Sequence, residues 1–129
     1  MTIKLSTGLR NAIAGTQGFA GALANGIIEI YSGAQPTTAD AAVTGTLLGR
    51  VTTGGGAFTP GSPTNGLVLA AAAGGAVAKA ASLWQFTGLA DGTAGWFRYK
   101  GNAVDAGALS TTLPRMDGSI ATSGGDMNL

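Results

Sequence analysis

The side chains able to do acid–base work in this sequence are Glu29 and the aspartates Asp40, Asp91, Asp105, Asp117 and Asp126. Two carboxylates about 5–10 Å apart in a cleft could hydrolyse a glycoside. Nothing in the spacing pairs these. Glu29 falls inside a short apolar run, and the aspartates sit beside glycine, alanine or other turn formers, where aspartate starts turns and stays in water. A serine nucleophile wants an imidazole base, and the chain has no histidine. Lys79 and Ser82 could form a Ser–Lys arrangement, but residues three apart on a strand point to opposite faces. With no cysteine there is no thiolate, no disulfide framework and, histidine also lacking, no ordinary zinc or haem site. Asp117-Gly118-Ser119 resembles a fragment of a calcium loop without the alternating acids or terminal glutamate. Gly54-Gly55-Gly56 lacks the lysine and the strand-to-helix setting of a phosphate loop. Arg98 and Lys100 share a strand side next to Trp96, which suits a polar face or inter-subunit salt bridges better than a nucleic-acid patch. The chain is therefore expected to carry no catalytic residue, metal or cofactor, to bind no nucleic acid directly, and not to be an enzyme.

Whatever positions these residues must be built from unusual material. The chain has 129 residues, 23 of them glycine, with 45% hydrophobic, 6% aromatic and only 10% charged residues and a net charge of +1. Such a length fits one domain. A disordered charged tail is excluded by the high apolar and low charged content. Abundant glycine suits many short strands joined by tight turns and does not suit a helical bundle. Small core side chains bury little area each, and a charge-poor surface is more often covered in an assembly than left in water. Neighbouring copies or another protein are thus expected to supply part of the stability. No secretory or membrane segment is read from the sequence: the first residues lack a basic, then apolar, leader, and the most apolar stretch, 66–81, is interrupted by Gly74, Gly75 and Lys79.

Along the chain, residues 1–24 are expected to form an arm or short helix and residues 25–129 a β domain. Ser6 or Thr7 can cap a helix in which Leu9 and Ile13 share a face, with Phe19 and Leu23 repeating that spacing after Gly15 and Gly18. This segment either lies on a neighbouring subunit or plugs one end of its own domain. Strands are predicted over 27–31, 46–53 and 95–100, the last with Trp96, Arg98 and Lys100 on a mixed face and Phe97 and Tyr99 on a buried one. Residues 67–87 read as a hairpin turning at Gly74-Gly75, with Trp84 and Phe86 on one side of its returning strand. The tail carries Val104-Asp105 and the segment 113–120, and the final Asp126-Met127-Asn128-Leu129 looks like the opening of a strand that more chain, or another copy, would complete. Seven or eight short strands between turns predict an all-β fold, an antiparallel β-sandwich or jelly-roll-like domain with a short N-terminal helix or arm.

The segments Ile28-Glu29-Ile30-Tyr31-Ser32-Gly33-Ala34-Gln35-Pro36, Thr44-Gly45-Thr46-Leu47-Leu48, Gly92-Thr93-Ala94-Gly95-Trp96-Phe97-Arg98 and Arg115-Met116-Asp117-Gly118-Ser119-Ile120 resemble a group of small proteins encoded by tailed bacteriophages and prophages. The resemblance implies a virion structural protein, made in the host cytoplasm, and among these a capsid decoration or cement protein. Its partners would be the major capsid protein or another virion protein and further copies of itself, with no membrane involved. A minor tail or baseplate-associated protein and a carbohydrate-binding β-sandwich module are the alternatives. Leu9, Ile13, Phe19, Leu23, Trp96 and Arg98 are the residues expected to meet a neighbour.

Overall fold

The computed structural model describes residues 3–128, so Met1, Thr2 and Leu129 lie outside the described residues. Its elements are β1 (Lys4–Leu5), α1 (Thr7–Ala14), α2 (Gly18–Ala22), β2 (Ile27–Ser32), β3 (Leu47–Thr53), β4 (Trp84–Gly88), β5 (Ala94–Lys100), β6 (Arg115–Ala121) and β7 (Met127–Asn128). The fold is all-β in its framework. One sheet runs in the order β1-β6-β5-β2-β3-β4, every neighbour antiparallel, and β7 adds a short parallel pairing to β6.

Strand periodicity divides the side chains between two faces. Ile28 and Ile30 of β2, Val51 of β3, Phe97 and Tyr99 of β5 and Met116 of β6 fall on one face by their registers. Onto it pack Leu9, Leu23 and, from the long β3–β4 connection, Leu67, each fully buried. A buried aliphatic or aromatic side chain contributes about 1.5–3 kcal/mol, so this layer supplies most of the apolar driving force. The helices belong to the same core. Ser6 caps α1 by accepting from the Leu9 amide at 3.1 Å. Gly8 lets the helix press on the 112–113 backbone, where a Cβ would come within 2.3 Å of the Thr112 carbonyl oxygen.

Three expectations change. The described strands make one sheet, and its apolar face is covered by helices and irregular chain where a sandwich would have a second sheet. The 67–87 hairpin exists only as a thin ladder: Ala73 and Ala76 exchange bonds around Gly74-Gly75, Leu69 bridges Lys79, and a continuous strand begins only at Trp84. Runs of alanine bury too little to hold a regular ribbon against the core. The face of β5 read as mixed is buried as well, because two loops close over it.

Candidate functional site

On the second face of the sheet the registers place Lys4 and Asp117, Arg98 and Asp117, Lys100 and Arg115, and Glu29 and Arg98 opposite one another. Arg98 and Asp117 form a bidentate pair, Nε to Oδ1 at 2.7 Å and Nη2 to Oδ2 at 2.8 Å, with both side chains 0% exposed. Arg115 grips Asp105 in the same way, at 2.7 and 2.6 Å. Lys100 pairs with Glu29, which also accepts from the Tyr31 hydroxyl at 3.3 Å and has Arg50 at 3.5 Å. Tyr31 stacks on Trp96 with ring centroids 4.7 Å apart, and the Arg98 guanidinium lies 5.4 Å from the Trp96 centroid.

These cations also hold the two covering loops. Arg98 donates to the Ala41 carbonyl, Arg115 to the Ala108 carbonyl at 2.7 Å, Lys100 to the Asp105 carbonyl and Lys4 to the Pro36 carbonyl. Loops without a ladder have carbonyls to satisfy, and buried ones must find donors. Asp40, in the first loop, accepts from the amide and hydroxyl of Thr7 at 2.7 and 2.6 Å and so clips α1 down. Those two bonds from Thr7 hold the Asp40 carboxyl below the ordinary carboxylate range. Asp105 is pushed up by burial, but the Arg115 guanidinium and the Gly107 amide outweigh that and lower it. Burial pushes Asp117 up against the pull of Arg98.

The turn-aspartate expectation is thereby corrected. Asp105 and Asp117 are buried ion-pair partners, and Asp117 belongs to a strand whose two carboxylate oxygens are taken by one guanidinium, which is no calcium loop. Arg98 and Lys100 make their salt bridges within the chain. Lys79 does reach Ser82, but its ammonium donates to the Ser82 carbonyl at 2.6 Å. Of the residues expected to meet a neighbour, Leu9, Leu23, Trp96 and Arg98 are each 0% exposed inside their own chain and present nothing to a partner surface. Phe19 is half-buried against the core, and Ile13 is the member of the set that stands exposed.

Uncovered apolar side chains lie elsewhere, singly at Val104 and Leu109 in the β5–β6 connection and as a group at the β4 edge. Leu83, Phe86 and Leu89 are 65%, 50% and 53% exposed. On the apolar side a groove of about 560 Å³ runs between Val51, Trp84, Phe86, Ala94 and Met127. Phe86 lies flat over Gly49, whose Cβ would fall 2.2 Å from the ring. Any side chain there would lift the ring and reshape the groove.

No protein-family model, curated protein or solved structure matches this chain.

Among the open surfaces of the described residues, which include a hollow of about 360 Å³ between Lys4, Arg10 and Asp40, two bear on function. The cleft over the polar face, about 490 Å³ and bordered by Tyr31, Arg50, Phe58 and Lys100, offers Glu29 already neutralised by two cations. The β4 groove offers exposed aromatic surface beside a terminal strand. Sequence reasoning missed the ionic face although a signal existed. Arg98 and Lys100 alternate on one predicted strand, and Arg115 and Asp117 alternate on the segment that pairs with it, so a register would have joined them. Among the described residues no helix is long and apolar enough to cross a membrane.

Proposed function

We propose that this chain is a structural subunit of a phage virion, a decoration protein that seats on the capsid between its subunits and adds interface against the outward pressure of packaged DNA. The observation that carries this reading is the uncovered β4 edge lying beside an apolar groove, a surface that gains free energy only when a neighbour covers it. The distribution of charge supports it. Of 7 basic and 6 acidic residues, Glu29, Arg98, Lys100, Asp105, Arg115 and Asp117 are turned inward, which leaves the exterior poorer in charge than the composition suggests. Free monomers usually keep a well-charged surface. On this reading the surface left open at the β4 edge is completed by assembly with the major capsid protein and further copies of the chain, and the role is mechanical and not enzymatic.

The test is co-sedimentation of the purified protein with DNA-filled heads and with isolated tails of the same phage. Saturable binding to heads, in fixed proportion to the capsid subunit, is the expected result. A few copies per particle on tails would move the protein to the tail or baseplate, and binding to neither would overturn the virion reading. One observation favours a second reading as a carbohydrate-binding module: Trp84 and Phe86 show ring surface in the groove, and sugars stack on aromatic faces. Saturable quenching of tryptophan fluorescence by a glycan would establish that reading, and its absence across a glycan panel would retire it.

A further inference from the structure

The β4 edge has a register written into it. Leu89 donates to the Leu48 carbonyl at 2.8 Å and Gly54 donates to the Leu83 carbonyl at 2.7 Å. In an antiparallel ladder these bonds recur at alternate residues, so Leu83, Gln85, Thr87 and Leu89 spend their backbone groups on β3. The amides and carbonyls of Trp84, Phe86 and Gly88 point outward from the last strand of the sheet. Natural monomers guard such an edge with lysine, proline or inward charges. From Ala80 to Ala90 this chain has no charged residue and no proline. The nearest charges are Lys79 and Asp91, of opposite sign, each six residues from Gln85.

From this we propose that β4 pairs with β4 of a second copy, antiparallel about a twofold axis through Gln85. That register is one of those in which outward-facing groups meet outward-facing groups, with Trp84 opposite Phe86 of the second copy. It alone among them gives both rings, Trp84 and Phe86, an aromatic partner on the other copy. The two aromatic cross-strand pairs fall on the groove side, so the grooves of the two copies run into one apolar trough across the axis. Cross-strand aromatic pairs are among the stronger ones in sheets. The inference deepens the assembly role proposed above in naming the occupant of this edge, and it rests on that reading only in treating the edge as an assembly surface.

Gln85 would face its own counterpart in a non-hydrogen-bonded pair, where Cα atoms are about 4.5 Å apart, within disulfide reach. The chain has no cysteine, so single substitutions in the full chain report the register directly. Gln85→Cys is expected to give a disulfide-linked dimer under mild oxidation, and Thr87→Cys, which would face Leu83, is expected to stay largely unlinked. In sedimentation equilibrium the unmodified protein should be dimeric. Phe86→Lys should give a folded monomer with an unchanged far-ultraviolet spectrum. A protein that stays monomeric at every concentration, or one that cross-links through Thr87→Cys as readily as through Gln85→Cys, overturns the proposal. Monomers that still saturate phage heads would sink the pairing and spare the virion role; a Gln85-linked dimer that binds no particle would do the reverse.

Discussion

Arg98 and Asp117 are both wholly buried, and the value of such a pair depends on how it is broken. Desolvating two ions costs nearly what their attraction returns, while removing one partner strands the other charge. Asp117→Ala is therefore expected to lower unfolding free energy by about 3–5 kcal/mol, whereas Arg98→Met combined with Asp117→Leu should recover most of that loss. Urea unfolding of the three proteins checks both, and an Asp117→Ala variant within about 1 kcal/mol of the parent would show that water reaches the site. Acid behaviour follows from the same face. Asp40 and Asp105 have lowered folded-state pKa values, so their contribution is present above the ordinary carboxylate value and lost as pH falls through the folded one. Asp117 is raised and acts oppositely: its contribution is full below the ordinary value and lost as pH rises through the folded one. Below about pH 4 the Asp117 contribution is already full, so stability should fall there as Asp40 and Asp105 are protonated. Asp40→Asn should flatten that acid limb in urea midpoints measured between pH 2 and 6; an unchanged limb would mean the Thr7 clip is already open in solution.

At the scale of elements, Ser6 shows how one residue joins two. Its hydroxyl accepts from the Leu9 and Arg115 amides at 3.1 and 2.9 Å and donates to the Leu113 carbonyl at 2.9 Å, so the cap of α1 is also the start of β6. Ser6→Ala loses a cap and strands buried backbone groups, an expected cost of about 2–4 kcal/mol in thermal or urea unfolding. A cost below about 0.5 kcal/mol would mean water replaces the hydroxyl. The cap was legible in the sequence, as were β2, β3 and β5, because Ser6 precedes a periodic run and Ile28, Ile30, Phe97 and Tyr99 alternate. The segment 66–83 was not, since its alanines and glycines carry no periodicity that distinguishes a ladder from a coil. Nor was the ionic face: strands 27–32 and 115–121 looked like separate apolar and turn-rich stretches until β5 was placed between them. The groove was half legible. Trp84 and Phe86 were expected on one side of a strand, but β4 as the outermost strand follows from β3 turning its other edge to β2.

For the whole molecule, the sheet is assembled from strands distant in sequence. The central pair joins β2 to β5, and the chain closes on itself where β1 meets β6, with the Ser6–Leu113 bond spanning 107 residues. Loop-closure entropy must be met before such pairings return anything, which places all-β topologies of this kind in the millisecond-to-second range of folding. The β1–β6 closure also depends on β6 already lying against β5, since the Lys4 and Leu5 partners are Asp117 and Met116, the residues that pair Arg98 and Tyr99. The N-terminal seal is thus expected to form after the folding barrier. Ser6→Ala should then raise the unfolding rate by nearly the whole factor corresponding to its loss of stability and leave the folding rate almost unchanged. Stopped-flow tryptophan fluorescence, at concentrations low enough to keep the chain monomeric, separates the two limbs. A folding rate that falls in step with the equilibrium constant would instead put the seal inside the nucleus and make the chain's two ends the first parts to meet.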